Sequence, residues 1–528
     1  MKKIISYLCL TLLLVFTFSC TDLEIEPTDS LITEGFAGVA NVESEVENLS
    51  NIIARGNLAS QDGLFALNEV STDEYVVATR GTDWGDNGRW LAIHRHSWDA
   101  DLQDIRFCWQ ELNSVTINAT RVINPQSTNT EGDLVTEKAQ ARFYRAWAMT
   151  WILDMWRQVP YRNVDAPNSE IPSVLTGQVA IDSIVADLNI AIRDLPTVTS
   201  SNGIDLKSSP TKAAANHLLA KLHLNKHVYL GTSPDNADMQ VVINAVNAIE
   251  ADGYQLAASG DFFDIFRPSN DVETIWWSPA DAGPRIWPTL HYNLNTPSNT
   301  GGGWNGFTTL SEFYQLFEGN PDTNYQGDGQ EERRGFVPDP STVDEINLGI
   351  GYGFLIGQQY DENGAPLTAR SNVGAVPLVF TKEVTKAEYS SPADDAVLET
   401  DGTRMFKYHP NEDGGDRRLH IVNYRYGDAY LMKAEAMFRM GTDVTAMINT
   451  LRTVRGASSL ASVTEADLLA ERGREMYAEV TRRQDLIRFG QYLRAWNLKE
   501  ASDANREIFP IPIADVLANP NLVQNPGY

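Results

Sequence analysis

SPTKAAANHLLAKLHLNKHVYLGTSPDNADMQVVINAVNAIEADG (Ser209–Gly253) reads as two helices joined by a turn. Ser209 is placed to cap the first helix with Pro210 in its first turn, and Ala214, Leu218 and Leu222 form one apolar stripe. Gly231 breaks that stripe. Val242, Ala245, Val246 and Ile249 then repeat at i, i+3, i+4, i+7, and Gly253 closes the second helix. A similar unit recurs far downstream. There Tyr430, Ala434 and Met437 end at Gly441, and Val444, Met447, Ile448 and Leu451 end near Gly456. Paired helices of this length predict a mainly α fold, a scaffold of tetratricopeptide-like helical hairpins, although the strict repeat signature is absent.

Between these units the pattern changes. Residues 254–423 are dense in Gly, Pro, Asn and Asp, with weak helical periodicity and short strands such as Thr274–Trp277. A long irregular insertion on a helical scaffold is where a binding surface is expected. The expected organisation is therefore 38–253 helical, 254–423 a ligand-binding insertion, and 424–528 helical, the outer two packing as one body. The Pro-rich stretch Ile508–Tyr528 is expected to lie extended on the surface.

The chain has 528 residues, 42% hydrophobic and 21% charged, enough for a large core. Its net charge of −28 repels phosphate backbones, so no nucleic-acid partner is expected. At the N-terminus, Lys2 and Lys3 precede an apolar run from Ile4 to Phe18, too short for a comfortable membrane span. Ser19 and Cys20 follow. This reads as a lipoprotein signal peptide (1–19), with Cys20 acylated as the membrane anchor and 20–37 a tether; Thr17 stands where that motif usually has Leu. Cys108 is then the one remaining thiol, in an apolar helical stretch, so no disulfide framework or Cys-rich zinc site is expected.

Five blocks carry a resemblance. They are ARFYRAWAMTWILDMWRQVP (141–160), SPTKAAANHLLAKLHL (209–224), YRYGDAYLMKAEAMFRMG (424–441), ERGREMYAEVTRRQDLIRFG (471–490) and EIFPIPIADVLANPNLVQNPGY (507–528). In this order, and with the lipoprotein signal, they resemble the SusD/RagB family of outer-membrane nutrient-uptake lipoproteins. The resemblance implies a non-catalytic, cofactor-free lipoprotein facing the exterior. It implies capture of an oligosaccharide or polysaccharide and delivery to a TonB-dependent (SusC-like) outer-membrane transporter. A RagB-like branch handles peptides instead. The blocks are mostly scaffold and do not name the ligand.

Glycan capture needs flat aromatic faces for the apolar side of sugar rings, and polar side chains for vicinal hydroxyls. Phe143, Trp147 and Trp151 lie at i, i+4, i+8 on one helix and read as packing; Trp276 and Trp277 point to opposite faces of a strand. Three other tryptophans sit in polar, glycine-rich loops. RGTDWGDNGRW (80–90) holds Trp84 and Trp90 among Asp83, Asn87 and Arg89, and TGGGWNGF (300–307) holds Trp304 beside Asn305. With Trp287 and Tyr292 in PRIWPTLHYNLN (284–295), these residues are the candidate glycan contacts. In the resembled family, ligand aromatics come from a loop near this N-terminal position and from the irregular middle.

Other chemistries find less support. No G-x-S-x-G elbow or H-E-x-x-H occurs, and 70 acidic residues leave a glycosidase pair unassignable. An exported glycoside hydrolase and a protein-binding tetratricopeptide scaffold remain as rival readings. His223 and His227 lack a third ligand, and Asp322, Asn324 and Asp328 miss the EF-hand spacing, with Arg333 where the bidentate Glu belongs. The glycine run GIGYG (349–353) precedes no clear helix. Alternating charges over Glu471–Asp485 are expected to stitch two helices together. The overall acidity favours a neutral, glucan-type ligand over sulfated or uronic-acid glycans.

Overall fold

The computed structural model describes residues 38–129, 134–167, 170–297, 299–411 and 419–528. The expected signal peptide, Cys20 and the tether lie outside the described residues. The longer helices are α1 (Val42–Ile53), α2 (Gln103–Ile123), α3 (Leu134–Trp156), α4 (Gly177–Asp194), α5 (Lys212–Leu230), α6 (Asn236–Ala251), α7 (Tyr426–Arg439), α8 (Thr445–Val454), α9 (Glu465–Met476) and α10 (Arg482–Arg488). Each of α2 to α5 packs on the next, and α6 packs on α7, so the helical series continues across the 174 intervening positions 252–425. Lys433 of α7 reaches Glu250 of α6 at 2.7 Å, and the Tyr426 hydroxyl donates to the same carboxylate at 2.9 Å.

The leading hairpin forms as its pattern dictates, with one correction. Thr211, not Ser209, caps α5: its side chain accepts from the Ala214 amide, and Pro210 lies outside the helix. Gly231 ends α5 in the left-handed region (φ 64°), which only glycine adopts at little cost. Asp235 caps α6 through the Ala237 amide.

The irregular segment leaves and re-enters through a two-stranded neck. Residues Thr274–Asp281 pair antiparallel with Leu419–Arg425, placing Trp276 opposite Tyr424 and Trp277 opposite Val422. Alternation sorts the two indoles. Trp276 is buried against Phe143 and Tyr424, while Trp277 is half-buried and donates to the Ile204 carbonyl at 2.7 Å. A second pairing, Tyr75–Val77 with Phe307–Thr309, ties the N-terminal part to the middle of the irregular segment. Phe143, Trp147, Trp151 and Cys108 are all core, and burial pushes the Cys108 thiol up.

One expectation is corrected in part and one extended. The tail lies on the surface over much of 513–528 but is anchored into the core at its start. Phe509 and Ile511 are fully buried, Trp156 donates to the Pro510 carbonyl at 3.0 Å, and Asn525 bonds the carbonyls of Trp156 and Phe509. The charged block of α9 and α10 does stitch helices together, Arg472 of α9 reaching Asp485 of α10 at 2.7 Å and Asp428 of α7 at 2.8 Å, and it extends beyond them. Its side chains are buried and reach the irregular segment and its neck: Arg333 pairs with Glu471 at 2.7 Å and Arg425 with Glu475 at 2.8 Å, while Arg455, just after α8, bridges Glu475 at 2.9 Å and Glu273 at 2.5 Å. Burying so many charges is tolerable because nearly every guanidinium and carboxylate meets several opposite partners. The flanking guanidiniums hold Glu471 down at about 2 although burial opposes ionisation. This network fastens the irregular segment to the helices.

Candidate functional site

The loop after Tyr75–Val77 is built around one buried indole. Trp90 is fully buried, edge-on to Phe307 at 5.2 Å, and its Nε1 donates to Asp86 at 2.6 Å. That bond anchors a strained turn in which Trp84, Asp86 and Asn87 all have positive φ (59°, 36° and 56°). Asn and Asp tolerate this region; a tryptophan there is an outlier of the kind that clusters at functional sites. The outcome is that Trp84 sits half-exposed above Trp90, edge-on to it at 5.6 Å and to Phe307 at 5.6 Å.

The second loop explains its glycines. Trp304 donates its amide to the Trp287 carbonyl at 2.7 Å, and Asn305 donates to Leu290 at 2.8 Å. Backbone passes so close that a Cβ on Gly302 would overlap the Tyr292 carbonyl, and one on Gly303 the Leu290 carbonyl. A Cβ on Gly306 would overlap the Trp84 indole itself. So the glycines create the bed on which Trp84 lies, and they turn Trp304 outward. Trp304 is 41% exposed, and it is the one tryptophan among the large exposed apolar side chains of the described residues.

The two loops meet. The Trp84 indole N–H donates to the Trp304 carbonyl at 2.7 Å, and the Tyr292 hydroxyl donates to Asp83 at 2.6 Å. Burial, with the Asp83 carboxylate beside it, pushes the Tyr292 phenol up, so it remains a proton donor. Over the Tyr292 ring, at 5.5 Å, stands the guanidinium of Arg370, whose side chain is 66% exposed. Glu399 fixes it at 2.5 Å and takes a second bond from His291 at 3.1 Å. Burial opposes ionisation of Glu399, but the His291 and Arg370 bonds hold its carboxyl below the usual range.

The candidates therefore divide. Trp84, Trp304, Tyr292 and Asp83 converge on one exposed face, with Asn87 exposed in the adjoining turn. Trp287 is half-buried, its indole against Gly283 and its carbonyl under Trp304. Three candidates are corrected to supports. Trp90 has no exposed surface. Arg89 is consumed by Asp62 at 2.6 Å and Asp104 at 3.1 Å, and Asn305 is fully buried, accepting from Arg404 at 2.6 Å. Arg370 and Glu399 escaped the sequence reading because they lie on a short hairpin and a loop with no aromatic or glycine-rich signal.

The remaining motifs engage in local structural contacts. His223 bonds Asp238 at 2.9 Å, and burial with nearby Arg439 and Arg488 pushes His227 down to about 4. The Asp328 carboxylate accepts from Thr323 and Tyr325 within its own turn. The glycines 349–353 lead into the strand Tyr352–Leu355 and not a helix. Among the described residues no group of three or more His, Cys, Asp or Glu side chains is arranged to hold a metal.

Known proteins share this architecture. A sequence profile described as the SusD family matches residues 384–528. The starch-binding protein SusD of Bacteroides thetaiotaomicron is 24% identical over 506 residues, covering 88% of this chain and 85% of that one. The chain thus carries a SusD-family match over its C-terminal part and is similar to SusD over most of its length. Among solved structures, a SusD-like protein from Bacteroides fragilis superposes with a TM-score of 0.66 at 18% identity, over 92% of this chain and 96% of that one. Surface glycan-binding protein A of B. thetaiotaomicron, solved with laminarihexaose, gives a TM-score of 0.63 at 16% identity, over 92% and 98%. At these identities the structural likeness establishes the SusD-like fold, and the ligand has to be argued from the site of this chain.

Proposed function

We propose that this SusD-like protein captures a neutral, glucan-type oligosaccharide or polysaccharide at the cell surface without cleaving it, and passes it to a TonB-dependent outer-membrane transporter. The observation that carries this reading is the exposed Trp304 indole beside Trp84, which lies on the Gly306 bed and donates to the Trp304 carbonyl, with the Tyr292–Asp83 pair joining the same loops. An indole offers the apolar face of a sugar ring a flat partner, and the hydroxyl, carboxylate and Arg370 guanidinium at its edge match vicinal hydroxyls. Because the loops are fixed by buried bonds, little ordering cost falls on binding.

Two relatives support the choice of a glucan, since one is a starch-binding protein and another was solved with laminarihexaose. Charge agrees: a net −28 disfavours polyanionic glycans. The lipid anchor on Cys20 and the transporter partner rest on the signal motif and the family resemblance.

Isothermal titration of the purified protein against laminarihexaose, maltohexaose, a uronic-acid oligosaccharide and a peptide mixture tests the reading. Saturable heat with a glucan and no released reducing ends is the expected result. Heat with peptides alone would move the protein to the peptide-handling branch, and reducing-end release would make it a hydrolase.

A further inference from the structure

On the other side of the loop that presents Tyr292 and Trp304 lies a cleft of about 430 Å³. Its volume falls within the range that encloses small organic ligands, roughly 300–1,000 Å³. Leu294, Leu348 and Ile350 line it with apolar surface, while Asn293, Asn295, Tyr360, Glu362 and Asn363 supply amides, a phenol and a carboxylate. Among the described residues no lysine or arginine lines it. An apolar wall with amide and carboxylate groups and no cation suits a hydroxylated, uncharged ligand and rejects an anionic one.

One feature connects this cleft with the platform, and a second marks the cleft wall itself. The first is continuity. Tyr292 faces Asp83 and Arg370, and the next residue, Asn293, lines the cleft and donates to the Thr368 carbonyl at 2.6 Å. Thr368 and Arg370 are two apart on one strand and so share a face. One rim therefore serves both the platform and the cleft. The second is strain. Leu348, on the cleft wall, has a φ of 51°, a conformation that a leucine keeps only where the surroundings impose it.

We infer that the cleft is a second sugar subsite, taking further units or a side branch of the same neutral glycan that the Trp304 platform holds. This rests on the function proposed above. Binding then depends on ligand length: a short oligosaccharide engages the platform alone, and a longer one engages both.

Titrations with laminaritriose and laminarihexaose, and with the matching malto-oligosaccharides, test it in the wild type and three variants. Thr300→Trp fills the cleft and Glu362→Ala/Asn363→Ala strips its polar rim; both change exposed residues, and Trp304→Ala removes the platform. In the wild type the longer ligand is expected to bind about tenfold more tightly than the shorter. Both cleft variants are expected to erase most of that advantage and leave the shorter ligand's affinity unchanged. An undiminished length advantage in both cleft variants, or equal loss for short and long ligands, would overturn the subsite. The two readings fail differently. Loss on Trp304→Ala with inert cleft variants refutes the cleft alone, whereas sensitivity to the cleft variants with an inert Trp304→Ala refutes the platform alone. Failure of the wild type to bind any of these oligosaccharides refutes both.

Discussion

The indole N–H of Trp84 donates to the backbone carbonyl of Trp304 at 2.7 Å, across 220 positions of sequence. With the Tyr292–Asp83 bond and the strand pairing Tyr75–Val77 with Phe307–Thr309, it joins the two loops that form the platform. Trp84→Phe keeps an aromatic ring on the Gly306 bed but removes the donor. It is expected to cost about 0.5–1.5 kcal/mol of stability and to weaken glycan binding several-fold through the freed Trp304 loop. Thermal unfolding and titration of the same variant check both numbers.

Trp90 and Trp304 should respond in opposite ways. Trp90 is fully buried, so Trp90→Ala is expected to cost about 3–5 kcal/mol. Trp304 is 41% exposed, so Trp304→Ala should change stability by no more than about 1 kcal/mol while removing glycan binding. Denaturant melts alongside binding curves separate the two, and a Trp304 variant that unfolds early would contradict its place as a surface platform.

Glu69 and Glu74, just ahead of the strand Tyr75–Val77, form a buried acid pair. Burial, and then the neighbouring Glu74 carboxylate, push Glu69 up; burial pushes Glu74 up to about 7 despite nearby Arg482. Their outer oxygens accept the amides of Thr481 and Ala478, while Glu69 Oε2 and Glu74 Oε1 lack other partners, so the pair is stable only when it holds a proton. A carboxyl whose folded value is raised stabilises the fold fully below its unfolded value, and that contribution is lost as pH rises through the folded one. Stability should therefore decline across roughly pH 4.5 to 7. Glu74→Gln supplies a permanent donor and should flatten that decline, raising the melting temperature at pH 8 more than at pH 5. Parallel melts at the two pH values measure it.

Glu475 accepts from Arg333, Arg425 and Arg455 at 3.2, 2.8 and 2.9 Å, all fully buried. Glu475→Ala leaves three guanidiniums short of a counter-charge and is expected to cost about 3–5 kcal/mol. Because the network clamps the irregular segment to α9, proteolysis should begin within 254–423 in this variant. Cleavage elsewhere first would show that the clamp lies in other contacts.

The helices were the legible part. Stripes such as Val242, Ala245, Val246 and Ile249 encode a buried face locally, so α5 and α6 can be read without knowing what covers them. The site is harder because its contacts are non-local. Trp84 and Trp90 are six residues apart in one polar loop, yet only Trp84 is exposed; the apolar Leu91 and Ile93 beside Trp90 were the available sign that it begins a buried helix. Trp304 and its neighbour Asn305 likewise face opposite ways, since Asn305 serves the Arg404 guanidinium 99 positions on. Arg370 carried no local signal at all, and the burial of the charged block of α9 had no local sign because partners such as Arg333 come from the irregular segment.

Intrinsic tryptophan fluorescence, titrated with laminarihexaose and maltohexaose in the wild type and in a Trp84→Ala, Trp304→Ala double variant, tests the central claim most directly. The account predicts a saturable shift with a neutral glucan in the wild type, its loss in the double variant, and no released reducing ends. A glucan-induced shift of equal affinity in the double variant, or a wild type that binds no glucan, would contradict it.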